Sequence, residues 1–291
     1  MIQIKKRNPY INGKRQPKLR KSITAFIDIL GFKGLVKNAK GKKKSQKLLL
    51  DFHRVLSTWF NRIESSSALM SEISFFRKQK DSYKVRIFTD CILVGCPVRE
   101  KERNFRFSEG TEELWDVLSL LYLFQMEMTN AGYFVRGAIT VGELYMDDII
   151  IYGNGAIEAY ETESKEAKYP RIILTQSAKD MLDEIDKGFE NENYINYITS
   201  LLCKDCDGQI FLNYLESIKI GDDHYQFVDE LGKHKDMIES KLIKHKNEPH
   251  YLEKYIWTAN YHNKFCKQGY AEYCIDLAKY QMQPVVGFHP L

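Results

Sequence analysis

No apolar run in the 291 residues approaches the ~20 needed to cross a bilayer. The opening stretch, MIQIKKRNPYINGKRQPKLRK, lacks the apolar core of a signal peptide. No membrane span and a cytoplasmic location are therefore expected. Cysteine is sparse: six residues, at 91, 96, 203, 206, 266 and 274, make no disulfide framework in a chain this long without an export signal. Cys203 and Cys206 form a C-x-x-C, yet no second pair or suitably spaced histidine pair completes a zinc site, so packing or turn cysteines are expected. His224, His234, His245, His250 and His262 also lack metal spacing and are expected on the surface or in packing roles. There is no internal repeat and no low-complexity segment. Basic residues crowd the N-terminus from Lys5 to Lys21 and recur at Lys40 and Lys42 to Lys44, within a net charge of +4. No nucleic-acid recognition motif accompanies them, so they read as a solvated arm and loop and no nucleic-acid partner is expected. The second cluster could steer an anionic nucleotide.

What is present suffices for a large core: 44% of residues are hydrophobic, with 18 Tyr and 16 Phe. Residues 1–21, broken by Pro9, Asn12-Gly13 and Pro17, read as a mobile arm. A strand is expected over Ile23 to Leu30, then an amphipathic helix carrying Leu48, Phe52, Val55, Leu56, Trp59 and Ile63 and ending at Ser65 to Ser67. Ile73 to Asp81 reads as a connection or short edge element, Tyr83 to Phe88 and Ile92 to Gly95 as a hairpin, and Pro97 to Gly110 as a charged surface loop. Thr111 can cap a helix whose buried stripe is Leu114, Val117, Leu118, Leu121, Phe124 and Met128. Strands follow at Tyr133 to Val141, Leu144 to Tyr145 and Ile149 to Tyr152, then a helix from Gly155 to Lys168 and a strand at Arg171 to Leu174. This order suits an α+β domain of the split βαβ, ferredoxin-like kind. Beyond it, a helix near Ala178 to Ile185, strands near Gln209 to Tyr214 and Tyr225 to Val228, and helices around Lys233 to His245 and Tyr251 to Cys266 are expected. Tyr251, Tyr255, Trp257 and Tyr261 could stack bases, but at helical spacing they read as core or interface. The expected organisation is a basic arm (1–21), a catalytic core (22–175) and a C-terminal α/β extension packed on it (176–291).

The chemistry concentrates in two acids. Asp28 closes the first strand just before a turn through Gly31 and Gly34 into a helix, and Asp90 occupies the turn of the hairpin. Two carboxylates on neighbouring strand ends suit divalent cations, and free amides where a turn enters a helix suit polyphosphate oxygens.

These motifs resemble the class III nucleotidyl cyclases. FIDILGF (26–32) resembles their first metal motif and FTD (88–90) their second; FVRGAITVGELY (134–145) and YGNGAIEAYETESKEAKYPRIIL (152–174) resemble the strand, helix and strand that follow. CKDCDGQIFLNYL (203–215) and WTANYHNKFC (257–266) are looser echoes. With RGAI, EAYxxES and YPRII together, the chain is most similar to the pyrimidine cyclases of bacterial Pycsar anti-phage systems. The resemblance implies a ferredoxin-like cyclase core and a metal-dependent uridylate cyclase, less favoured a cytidylate cyclase. Such an enzyme makes the 3′,5′-cyclic nucleotide and pyrophosphate from UTP or CTP, as a signal to a separate cyclic-nucleotide-binding effector. It implies two Mn2+ or Mg2+ ions on Asp28, Asp90 and the carbonyl of Ile29, and triphosphate contacts from the turn Leu30, Gly31, Phe32, Lys33 and Gly34. Arg86 stands where the family selects the base, the alternative being a strand arginine paired with a surface acid. Ile150 replaces a purine-contacting aspartate, and Ile157 and Glu161 replace a helix asparagine and the transition-state arginine. The missing positive charge falls to Arg171, taken as catalytic, or to Arg136, for which a salt bridge across strand ends is the alternative. A head-to-tail homodimer with shared sites is also implied. The rival readings are a purine cyclase and a catalytically silent, nucleotide-sensing domain.

Overall fold

The computed structural model describes residues 8–69, 83–99, 108–188, 198–216, 224–280 and 288–290. The expected connection at Ile73 to Asp81 and most of the Pro97 to Gly110 loop lie outside them. β1 (Arg20–Ile29) has apolar residues at alternate positions, and it is the hub of the sheet because both of its edges are paired over most of its length. Two helices follow, the short α1 (Phe32–Asn38) and then the 28-residue α2 (Lys42–Leu69). Ser65 to Ser67 do not stop α2, which runs on to Leu69; serine costs a helix interior only a few tenths of a kcal/mol, about what one good neighbour repays. Next come β2 (Lys84–Phe88), β3 (Cys91–Pro97), α3 (Thr111–Asn130), β4 (Val135–Met146), β5 (Ile151–Tyr152), α4 (Asn154–Glu166), β6 (Ile172–Leu174) and α5 (Gln176–Gly188). The remainder adds β7 (Leu202–Lys204), β8 (Ile210–Leu212), α6 (His224–Lys244), α7 (Pro249–Cys266) and β9 (His289–Pro290).

The main sheet runs β2-β3-β1-β4-β6-β8-β7-β9, with β5 paired to β4. β6 lies parallel to β4, and the other pairings are antiparallel. Ile173 pairs with Phe211, so the sheet passes without interruption from the first 175 residues into the rest. One sheet face carries Ile23, Ala25, Ile27 and Ile29 into a core shared with α3 and with Trp59 of α2. The other face carries Thr24, Phe26 and Asp28, and α4 packs against β1 and β4. That packing needs a close approach. A Cβ at Gly155 would press on Thr24 Oγ1, and one at Gly142 would meet the Gly155 backbone.

Four further expectations change. The N-terminal arm is anchored from Asn8 onward: Tyr10 is fully buried, its hydroxyl donates to Ser22 Oγ at 3.2 Å, and Asn8 Nδ2 donates to the Met146 carbonyl. An aromatic ring beside a bare Gly95 has somewhere to go, which charge counting could not show. Thr111 does not cap α3; Gly110 does, with φ 87°, while the Thr111 hydroxyl donates to the Ser108 carbonyl. The two expected strands at 133–145 are one strand, continuous through Gly142. Residues 225–228 are helical, not a strand: Val228, Leu231, Ile238 and Leu242 form one inward stripe at helical spacing that starts before Lys233.

Candidate active site

The register of the sheet builds the site. Cys91 pairs with Asp28, and Asp28 with Arg136, so the three side chains stand in one row across β3, β1 and β4 on the face that α4 covers. Phe88 pairs with Cys91 and extends the row to β2. Asp90 enters from the two-residue turn between β2 and β3. Thr89 there has φ 53°, a costly conformation for a β-branched residue, and its hydroxyl donates to Asp90 Oδ1 at 2.6 Å. The amide of Ile29 donates to the Asp90 carbonyl at 3.0 Å, which ties the turn to the end of β1. As a result one ligand atom each from Asp28, Asp90 and Cys91 lies within 4.8 Å of the others, and no other such group of His, Cys, Asp or Glu occurs among the described residues.

Arg136 is shared. Its Nε lies 3.2 Å from Asp28 Oδ2 and 2.7 Å from Glu163 Oε1, and its Nη1 donates to the Ala167 carbonyl at 3.4 Å. Glu163 sits on the buried stripe of α4 with Gly155 and Ala159. Its Oε1 is enclosed, and no group among the described residues meets it in hydrogen-bond geometry. Burial pushes the Glu163 carboxyl up to about 7, against the pull of Arg136, and the nearby Asp28 adds to the rise. Burial likewise raises Asp28, opposed mainly by Arg136. The Cys91 thiol is pushed up to about 11, first by burial and then by the charges of Asp90 and Asp28, so it remains protonated at neutral pH. Lys254, on α7, is close enough for its charge to favour ionised Asp28, and burial lowers its own pKa.

The turn after β1 is made at Gly31, and Gly34, expected in the turn, lies inside α1. Gly31 is left-handed at φ 74° and precedes α1, so the first-turn amides of Phe32, Lys33 and Gly34 are those a helix leaves without intrahelical partners. Phe32 packs on Phe52 with ring centroids 5.1 Å apart, and Leu30 packs beside Phe134 and Tyr255, which fixes the turn on both sides. At Gly34 a Cβ would meet nothing within 4 Å, so that side of the turn is open.

Arg86 and Ile150 come together at another place on the same face, around Asp147. Arg86 Nη1 donates to the Asp147 carbonyl at 2.6 Å, and Asp147 Oδ1 accepts from the amides of Ile149 and Ile150. Lys84 and Arg86 also pair with Asp148. Arg171 is not brought to the acids. Its side chain is fully buried, paired with Asp205 and Asp207 and enclosed by the rings of Tyr169, Phe211 and Trp257. A charge already neutralised by two carboxylates and sealed under aromatic rings has no face to offer a triphosphate. Arg171 is therefore held away from the two acids, and among the described residues Arg136 is the arginine paired with Asp28. Ile157 is exposed, and Glu161 is turned outward to pair with Lys165 at 2.7 Å.

Glu163 and Lys254 were not singled out by sequence. A signal existed for the first: in GAIEAYETE an acid falls on the small-residue stripe of Gly155 and Ala159, four residues on. Nothing local marked Lys254, whose approach depends on how α7 docks.

The two divalent cations implied by the resemblance can be tested against the donor set. Two carboxylates with an enclosed third acid nearby form a hard, oxygen-rich and anionic group, which suits Mg2+ or Mn2+. The protonated thiol of Cys91 is a poor ligand for either, so Asp28 and Asp90 are the residues that fit.

No protein-family model matches the chain, and no curated protein matches it either. Among solved structures it is similar to the monomeric guanylyl cyclase domain of the RhoGC fusion protein from the aquatic fungus Blastocladiella emersonii. That match has a TM-score of 0.40 and 14% identity, over 67% of this chain and 95% of the other. It is also similar to a class III adenylyl cyclase-like ATP-binding protein from Pseudomonas aeruginosa, with a TM-score of 0.37 and 14% identity, over 56% of this chain and 35% of that one.

Proposed function

We propose that this chain is a metal-dependent nucleotidyl cyclase acting on a pyrimidine nucleoside triphosphate, UTP ahead of CTP. On this reading it is a class III cyclase core of the split βαβ kind with a C-terminal extension. The observation that supports the proposal is the convergence of Asp28 and Asp90 within 4.8 Å at the end of β1, three residues before Gly31 turns the chain into α1.

In the reaction the ribose 3′-hydroxyl gives up its proton to solvent and its oxygen attacks the α-phosphorus. A new oxygen–phosphorus bond closes the ring, the bond from the α-phosphorus to the bridging oxygen breaks, and pyrophosphate leaves. Divalent cations, when bound, supply charge neutralisation for the nucleophile and the leaving group. Asp28 and Asp90 would hold them, with the Ile29 carbonyl as a further ligand. The amides of Phe32, Lys33 and Gly34 bind the β- and γ-phosphates, and Lys33 adds positive charge on the exposed side of the turn. Arg86, with donors and no acceptor, meets a carbonyl of the base, and Ile150 presents an apolar wall where a purine-reading site would need a polar one.

A head-to-tail homodimer fits the surface. Phe88 (78% exposed), Ile149 (86%) and Tyr152 (67%) lie open, as do Ile150, Ile151, Ile157 and Tyr160. Large apolar side chains gathered around one sheet face and its neighbouring hairpin are what an interface covers. By analogy with the family the product would signal to a separate effector in anti-phage defence. One observation favours the silent nucleotide-binding alternative: Glu161 stands outward in place of the family's arginine.

Incubation with Mn2+ or Mg2+ and each of the four nucleoside triphosphates, read by mass, tests the proposal. Cyclic UMP or cyclic CMP is the expected product. A cyclic purine nucleotide alone would overturn the pyrimidine reading, and no cyclic product with any substrate would leave the silent reading standing. For shared sites, Asp90→Ala and Arg86→Ala proteins should each be inactive and should regain activity when mixed. No recovery despite proven subunit exchange would exclude them.

A further inference from the structure

We infer that Arg136 is the resident counter-cation of the acid cluster: it holds the place of a divalent cation at Asp28 and yields it when the metal binds, with Glu163 keeping the guanidinium in reach. This rests on the reading of Asp28 and Asp90 as metal ligands.

The ladder between β1 and β4 fixes Arg136 directly opposite Asp28, so the pairing cannot drift. A single nitrogen, Nε, lies 3.2 Å from Asp28 and 2.7 Å from Glu163. One N–H cannot point well at both. It makes its hydrogen bond to Asp28, whereas the Glu163 contact falls outside hydrogen-bond geometry and leaves an enclosed carboxylate oxygen without a partner of proper geometry among the described residues. A buried pair kept only for stability would satisfy both acids. Here a small rotation of the guanidinium would complete Glu163 and free Asp28. Nε turned to Asp28 would be the metal-free position, and Nε turned to Glu163 the one it takes when metal is bound. The backbone anchor from Nη1 to Ala167 holds the far side of the guanidinium during that turn.

Competition and simple structural support predict opposite signs, which makes the idea testable by Mn2+ binding alone. The full-length protein and its Arg136→Gln, Glu163→Gln and Asp90→Asn variants would be titrated with Mn2+, following free Mn2+ by electron paramagnetic resonance. Removing a cation a few ångströms from Asp28 should tighten Mn2+ binding by roughly tenfold in Arg136→Gln, while the metal-free protein melts lower than wild type. In Glu163→Gln the guanidinium turns wholly to Asp28, and binding should weaken several-fold. Weaker or unchanged binding in Arg136→Gln, with binding lost in Asp90→Asn, would overturn the counter-cation role and leave the metal site intact. No Mn2+ binding by wild type or any variant would overturn both. A second measurement needs no substitution. Mg2+ added to 15N-labelled wild-type protein should shift one arginine Nε–H resonance, and an arginine spectrum that does not respond while Mg2+ binds would refute the inference.

Discussion

Replacing Arg171 by methionine separates a structural arginine from a catalytic one. The guanidinium is fully buried, and its two acid partners differ: Asp205 is itself buried and also accepts from Trp257 Nε1 at 2.7 Å, whereas the Asp207 side chain is 40% exposed. Methionine fills much of the volume between Tyr169, Phe211 and Trp257, so the packing loss is small. The charge loss is not, because Asp205 is left enclosed without its cationic partner. Breaking one side of a buried pair costs about 3–5 kcal/mol. Unfolding entropy of about 2.1 cal/mol/K per residue gives roughly 0.6 kcal/mol/K for a chain of this size, so Tm should fall by about 5–8 °C. Circular dichroism melting of Arg171→Met and of the triple variant Arg171→Met/Asp205→Asn/Asp207→Asn would measure it. The triple variant, with no stranded charge, should recover most of the loss. Below its melting transition, Arg171→Met should keep substantial activity. An unchanged Tm with activity abolished would refute the reasoning and return Arg171 to the active site.

Asp90→Asn should leave Tm within about 2 °C of wild type while lowering cyclic product by several powers of ten, as the proposed role of Asp90 as a ligand requires. Retained product formation would remove Asp90 from the site. Gly34→Ala should raise Tm slightly, because alanine favours a helix over glycine by about 1 kcal/mol and the Cβ meets nothing, yet weaken triphosphate binding by crowding the phosphate side of the turn. Unimpaired binding of a fluorescent triphosphate analogue would place the phosphates elsewhere. His262 is buried, with its pKa lowered to about 4 by desolvation, and His234 beside it is lowered further below the ordinary value. Groups that ionise less readily when folded add stability above their unfolded pKa of ~6.5, and that stability is lost as pH falls towards 4. Tm should thus decline between pH 6.5 and 4 less steeply in His262→Phe than in wild type, and parallel profiles would exclude His262 as the source.

Most local elements and the two acids were legible in the residues alone. Alternation along β1, the helical stripe of α3 and the turn chemistry at Thr89-Asp90 and Gly31 are short-range facts, and short-range sterics and burial periodicity decide them. The end-of-strand position of Asp28 was legible for the same reason. The charge balance around those acids was decided only by the tertiary structure. Arg136 and Arg171 look alike in sequence, each next to a strand of apolar residues. Register sets the first opposite Asp28, while the β7–β8 hairpin and α7 enclose the second with Asp205, Asp207 and Trp257. Tyr10, in a segment rich in lysine and arginine, becomes core only because Gly95 leaves room across the sheet. Glu163 and Lys254 reach the site through helix docking, more than 70 residues from Asp90 in the chain. Ion pairing and ring packing depend on distances in space between segments far apart in sequence, and no periodicity within either segment encodes them.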